Sequence, residues 1–142
     1  LKLPLSDTEV ILAVSGGADS TSLLLALDEL VRAKKMSLTL TIAHLDHLLR
    51  KVSREDANWV ENLARKMGHQ VVKRRADVKR RAARSGDNLE QAARRARYEF
   101  LKQTARERHS TLIVTAHTLD DQAETFLLRL MRGSAAEVLS TI

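Results

Sequence analysis

"ILAVSGGADS", residues 11–20, decides the fold. Its first four residues are apolar enough for a strand covered on both faces, and the "TSLLLALDEL" that follows at 21–30 continues as a helix. Residues 15–20 therefore sit where a strand turns into a helix. Their backbone N–H groups and the positive end of the helix dipole face one outlet, which makes an anion site. Gly16 and Gly17 let the backbone approach a phosphate with no Cβ in the way, and the Ser15 and Ser20 hydroxyls can donate to its oxygens. Asp19 by itself would repel phosphate, so its presence points to a bridging Mg²⁺. The plainer alternative is a tight strand-to-helix turn that needs glycine and is capped by Asp or Ser. Two other nucleotide loops are excluded, because there is neither a Gly-Lys-Ser/Thr nor a Gly-x-Gly-x-x-Gly.

Outward from this loop, strand-like runs recur at 9–14, 38–43, 70–74 and 111–116, with helical periodicity between them. "SREDANWVENLARKMG" offers Ser53 as N-cap with Asp56 three residues on, an apolar stripe at Val60, Leu63, Ala64 and Met67, and Gly68 as the stop. "DNLEQAARRARYEFLKQTA" repeats the device, with Asp87 capping, Glu90 completing the box and Leu89, Ala93, Ala96 and Phe100 on one face. Thr118 and Asp121 are placed to cap a last helix carrying Phe126, Leu127, Leu130 and Met131, ended by Gly133. Residues 77–86 read as a basic, Ala-rich helix or an exposed loop. The alternation predicts an α/β fold: a doubly wound, mostly parallel sheet with helices on both faces, whose ligands bind at the carboxyl ends of the strands.

The 142 residues, 44% hydrophobic, suit one domain with a continuous core. No apolar run is long enough to span a bilayer as a helix, no signal peptide is seen, and a soluble cytoplasmic protein without a membrane partner is expected. The chain opens with Leu1 rather than Met, so a longer product or a processed form is expected. There is no cysteine, hence no disulfide framework, thiolate metal site or cysteine nucleophile. The net charge of +6 is local: residues 73–97 hold ten Lys/Arg against three acids, and everything else sums to −1. Such a run is either a solvated helix face or a surface for a phosphate-rich partner. With two Phe, one Tyr and one Trp there is little on which bases could stack, so nucleic acid would be held through its backbone.

Ser15-Gly-Gly-Ala-Asp-Ser20 resembles the Ser-Gly-Gly-x-Asp-Ser loop of the PP-loop, or N-type, ATP pyrophosphatases. That resemblance implies an adenine nucleotide alpha hydrolase-like fold and cleavage of ATP between its α and β phosphates, with AMP passed to a substrate oxygen. Three further stretches, "HLDHLLR" at 44–50, "GDNLEQAARRARYEFL" at 86–101 and "TAHTLDDQAETFLLRLMRGS" at 115–134, are similar to the tRNA(Ile)-lysidine synthetase branch. The thiolation branch shares parts of this pattern but uses cysteines, which this chain lacks. The branch implies a carbon–nitrogen ligase: C2 of the wobble cytidine of a minor isoleucine tRNA is activated by adenylation, and the ε-amine of free L-lysine displaces AMP. A homodimer is an additional option.

On this resemblance Ser15, Gly16, Gly17, Asp19 and Ser20 hold pyrophosphate and Mg²⁺, with Asp19 as the metal ligand. Arg97, His117, Asp120 and Asp121 are the catalytic candidates together with Asp19. Arg94, Arg97 and Glu124 are the substrate-binding candidates, and residues 73–97 the tRNA backbone contact. His44 either meets the adenosine end of the nucleotide or is a hydrogen-bonded structural histidine; Asp46 and His47 are placed to order the same loop. Asp121 is as well explained by a capping box, and Glu90 by capping. Leu48 departs from the glycine that the family often has after His-x-Asp-His. Residues 1–142 are expected to form a single catalytic domain cut short at its carboxyl end, with tRNA-binding domains downstream. Two other classes remain open: a phosphoesterase with one or two metals held by His44, Asp46, His47, His117, Asp120 and Asp121, and a basic RNA-binding module without catalysis.

Overall fold

The structure, a computed structural model, describes the backbone of residues 8–48, 53–119, 122–129 and 137–139, and the side chains of 8–48 and 55–116. The elements run β1 (Thr8–Ala13), α1 (Ala18–Arg32), β2 (Leu38–Asp46), α2 (Ser53–Lys66), β3 (Gln70–Arg75), α3 (Val78–Ser85), α4 (Leu89–Glu107), β4 (Leu112–Leu119), β5 (Gln122–Arg129) and β6 (Glu137–Leu139). One six-stranded sheet has the order β3-β2-β1-β4-β5-β6. The first four strands in that order are mutually parallel, and β5 and β6 continue it antiparallel.

Alternation along the strands sorts the core into two layers. Val10, Leu12, Val14, Leu40 and Ile42 point to one face and pack with Leu24 of α1 and Val60 and Ala64 of α2. Ile11, Ala43 and Ile113 point to the other and pack with Phe100, Leu101 and Ala105 of α4. Ile11, Leu12, Ile42 and Ile113 are each 0% exposed, and burying such a side chain stabilises the fold by about 1.5–3 kcal/mol. The doubly wound α/β architecture is thus present, with α3 laid on α4 through Val78, Ala82, Ala92 and Ala96. Among the described residues no helix is long and apolar enough to cross a membrane.

Several boundaries differ from those read in the sequence. Strand β2 continues through His44 and Leu45 to Asp46, because β3 supplies a partner for each of these residues. Residues 78–85 are helical, capped at one end by Asp77, which accepts from the Arg80 N–H at 3.0 Å, and at the other by left-handed Gly86. Helix α4 is capped by Asn88 and not by Asp87; Asn88 and Gln91 form the reciprocal box, and Glu90 is outside it. The buried stripe runs through Ala92, Ala96 and Phe100, with Ala93 partly buried and Leu89 46% exposed. Helix α2 begins at Ser53, whose side chain is outside the described residues.

The largest difference is at 122–129, a strand where a helix carrying Phe126 and Leu127 is expected. Its register, from Leu112↔Arg129 to Leu119↔Gln122, satisfies the outer edge of β4, whose N–H and C=O groups otherwise lack partners in the sheet. The run Thr125–Leu128 is short, and its apolar spacing fits a two-residue period as well as a helical one, so the sheet edge decides. Asp121, Leu130, Met131 and Gly133 lie outside the described residues.

Candidate nucleotide-binding site

The loop from Ser15 to Ser20 is held open by its own hydroxyls. The Ser15 N–H donates to Ser20 Oγ at 3.1 Å, the two serine hydroxyls share a hydrogen bond at 3.0 Å, and the Gly17 N–H donates to Ser15 Oγ at 3.3 Å. The Ser20 hydroxyl also reaches the Gly17 carbonyl at 3.4 Å. Gly16 has φ +97°, a conformation that L-residues rarely adopt. A Cβ there would meet Val60 and Asp56 of α2 at 3.6 and 3.7 Å, so backbone strain, not crowding, demands the glycine. Gly17 is the N-cap of α1 and brings no side-chain acceptor to the first turn. The N-cap thus supplies no side-chain acceptor at the end of the helix that attracts anions. Asp19 lies on that same first turn, exposed.

Beside the loop, on the α4 face of the sheet, is a cavity of about 70 Å³ lined by Ser15, Ser20, His47, Arg97 and Thr115, with Ala13, Ala43, Leu45, Phe100 and Leu101 as apolar walls. Two of its polar atoms, His47 Nδ1 and Thr115 Oγ1, are buried without a hydrogen-bond partner among the described residues. Native interiors rarely leave such groups unpaired, and a cluster of them at one opening marks where a ligand or water belongs. Burial lowers the His47 pKa below the ordinary 6.5; the charge of Arg97 and then His44 add to this, and Asp46 opposes it. The imidazole is therefore neutral at pH 7. Burial likewise lowers the pKa of Arg97, with Tyr98 opposing and Arg94 reinforcing. Both Arg94 and Arg97 lie over the Tyr98 ring, 5.7 and 5.8 Å from its centroid, which puts them on one face of α4.

His44 and Asp46 alternate with His47 along the chain and line a second, larger opening of about 410 Å³ on the α2 face, with Asn58, Lys73, Arg74 and Arg75. His44 is 3% exposed, and its Nδ1–H donates to the Val14 carbonyl at 2.7 Å, which ties β2 to the root of the loop. Asp46 accepts from the Leu48 N–H at 2.9 Å. Leu48 itself sits at φ +55°, the left-handed region that favours glycine. The structure thus gathers Ser15, Ser20 and Arg97 at one cavity, with Gly16 and Gly17 between the two serines in the loop, and puts His44 on the other face. The histidines and the carboxylate of "HLDH" do not converge, as a metal cluster would require, and no group of three or more metal-binding side chains exists among the described residues. His117 and Glu124 are opposite each other in the β4–β5 register, but their side chains, like Asp120 and Asp121 altogether, lie outside the described residues. His47 and Thr115 line the cavity although the sequence reading gave neither a place beside the loop's phosphate site; the two-residue period, carried past the expected end of β2 for His47 and read within the expected β4 run for Thr115, is the signal that finds them.

A family model described as a PP-loop domain matches residues 2–142. The chain belongs to the PP-loop family. Curated relatives of this PP-loop domain include the tRNA(Ile)-lysidine synthase of Deinococcus deserti, 48% identical over 93% of the chain and 24% of the relative. The enzyme of the same name from Thermus thermophilus is 47% identical over 89% and 24%, and that of Thermotoga maritima 39% identical over 94% and 32%. The chain spans about a quarter of the length of the first two. Among solved structures, the U34-tRNA thiolase NcsA of Methanococcus maripaludis, which carries a [4Fe-4S] cluster, is similar with a TM-score of 0.64 at 16% identity, covering 82% of this chain and 40% of the thiolase. That likeness is one of fold, and this PP-loop domain has no cysteine with which to hold a cluster.

Proposed function

We propose that this domain binds ATP on the Ser15–Ser20 loop and, as part of a tRNA(Ile)-lysidine synthetase, ligates lysine to the wobble cytidine of a minor isoleucine tRNA. The cytidine O2 attacks the α-phosphorus and pyrophosphate leaves; the lysine ε-amine then forms a bond to C2, and AMP departs with the electron pair of the C2–O bond. The observation that carries this reading is the hydroxyl-braced loop at the uncapped start of α1, in a chain 48% identical to an enzyme of that name. The loop's N–H groups and the Ser15 and Ser20 hydroxyls would hold the pyrophosphate. Asp19 suits Mg²⁺, because it is an exposed carboxylate on the same turn, and Mg²⁺ is commonly held by one or two carboxylates plus substrate phosphates. When bound, the ion supplies positive charge against the leaving pyrophosphate.

Arg97, partly buried, reaches the cavity from α4 and would meet charge developing on the α-phosphate as a cation fixed in place before the reaction. Arg94 and Glu124 are proposed for substrate contact, and His117, Asp120 and Asp121 for orienting lysine and cytidine. His44 is proposed to act on the nucleotide through Val14, by fixing the root of the loop.

The test is ATP-dependent incorporation of labelled lysine into unmodified bacterial tRNA by the full-length protein that carries this domain, with AMP and ADP resolved. Lysine incorporation matched one-to-one by AMP is expected. AMP without lysine transfer overturns the ligase reading and leaves the PP-loop chemistry; ADP in place of AMP overturns both.

A further inference from the structure

The basic run at 73–97 does not present ten equivalent charges. Lys73 is bound to Glu61, Arg74 to Glu107 at 3.5 Å, Arg75 to Asp46 at 4.0 Å, Arg81 to Glu99 at 2.9 Å and Arg95 to Asp87 at 3.1 Å. Arg94 and Arg97 lie on Tyr98. Three exposed cations are left with no ion pair among the described residues: Lys79, Arg80 and Arg84, all on α3.

The design of α3 is unfavourable for a helix on its own. Its sequence VKRRAARS holds no acid, and Lys79, Arg80 and Arg81 crowd the first turn, the end where a cation opposes the helix dipole. Arg80 and Arg84 are one turn apart on the same face, a like-charge pair that costs helix stability. Val78, 0% exposed, anchors the helix to α4, so the apolar side is used up and only the cationic side faces out. Ala83, exposed among these cations, keeps that side low and open to close approach.

We propose that Lys79, Arg80 and Arg84 form a docking strip for the phosphodiester backbone of the RNA whose base is modified. This rests on the tRNA reading above and narrows its contact from 25 residues to three. Leu45 joins the strip to the chemistry, since it packs against the Ala76–Val78–Ala96 cluster beneath α3 and also lines the cavity that holds Arg97. A backbone lying on α3 is therefore joined to the cavity wall through α3 and the one apolar cluster beneath it. A protein partner would call for an apolar or aromatic anchor, and none of the exposed large hydrophobics, Leu25, Leu30, Leu48, Trp59 and Leu89, is on α3. A membrane surface would call for an exposed apolar helix face, which α3 has already buried.

The experiment is fluorescence anisotropy of a labelled, unmodified bacterial tRNA transcript titrated with the full-length protein from 50 to 300 mM KCl. It compares the wild type, K79Q/R80Q/R84Q and the control R74Q/R81Q/R95Q, with ATP-dependent lysine incorporation measured beside it. Because each phosphate contact contributes about 0.7–0.9 to the slope of log K against log salt, the α3 triple should flatten that slope by about two to three and weaken binding about 100-fold at 100 mM. The control should change binding less than threefold, and circular dichroism should show all three proteins equally folded. Wild-type slope and affinity in the α3 triple overturn the strip, even where lysine incorporation by the wild type upholds the tRNA reading. Equal losses in the two triples overturn it too, as would binding to phosphatidylglycerol vesicles that falls with the α3 substitutions while tRNA binding does not.

Discussion

Ser20→Ala separates the two uses of the loop's hydroxyls. Ser20 is 4% exposed, and its Oγ is the hub of the turn, accepting from the Ser15 N–H, sharing a proton with Ser15 Oγ and reaching the Gly17 carbonyl. A net hydrogen bond contributes about 0.5–1.5 kcal/mol, but Ser15 is exposed and water can satisfy its N–H once Ser20 is shortened. The 3.4 Å contact to Gly17 adds little. Ser20→Ala should therefore cost about 1–2 kcal/mol in urea unfolding, and Ser15→Ala, at the exposed end, less than about 0.5 kcal/mol. ATP affinity should reverse the weighting. Each serine would donate to a phosphate oxygen, and a hydrogen bond to a charged group is worth about 1.5–3 kcal/mol, so both variants should bind Mg·ATP roughly 10–100-fold more weakly by calorimetry. A stable Ser15→Ala with lost ATP affinity marks a hydroxyl that serves the ligand. If Ser20→Ala binds ATP as the wild type does and loses less than about 0.3 kcal/mol, the loop is a plain turn and the anion-site reasoning fails.

Leu48→Gly should stabilise the fold by about 0.5 kcal/mol, as relief of the left-handed strain at φ +55° exceeds the added chain entropy; urea unfolding that shows a loss contradicts this. His47 has a folded pKa below its unfolded 6.5, so its neutral form stabilises the fold fully above pH 6.5, and that contribution is lost as pH falls through the lowered value. His47→Gln should accordingly flatten the fall in stability below pH 6.5 seen by chemical denaturation, and an unchanged profile would refute it. Asp19→Asn should abolish the Mg²⁺ dependence of ATP binding while costing no more than about 1 kcal/mol in urea unfolding, the worth of a carboxylate on the first turn of a helix.

The four parallel strands were legible because each is a short apolar run between helical stretches, and the loop was legible because its two glycines and two serines fall between an apolar strand run and a helical one. What the sequence left ambiguous was decided by competition. Asp87 and Asn88 are both good caps, each with a Glu or Gln three residues on to return the bond; Asn88 and Gln91 form the box, and Asp87 pairs with Arg95. Strand β2 outran its apolar run because β3 offered hydrogen bonds as far as Asp46, and this carried His47 to the cavity face. The helical spacing at 126–127 yielded to the unpaired edge of β4. Charge position was readable from the run at 73–97, but charge availability was not, because Glu61, Glu107 and Asp46 come from elsewhere in the chain.

The neighbours of β1 set an order of assembly. Its partner on one side, β2, follows within thirty-odd residues, whereas on the other side Val10 pairs with Leu112 and Leu12 with Val114. A loop of about a hundred residues must close before the second pairing forms, and such distant contacts slow folding. The ribosome releases the Ser15–Ser20 loop early and Thr115 late, so a nascent chain lacks the Thr115–Ala116 wall of the cavity, with one flank of β1 bare, until β4 emerges. During that interval the bare strand is open to pairing with the wrong edge. Nucleotide added to a stalled nascent chain ending before residue 112 should therefore find no finished site.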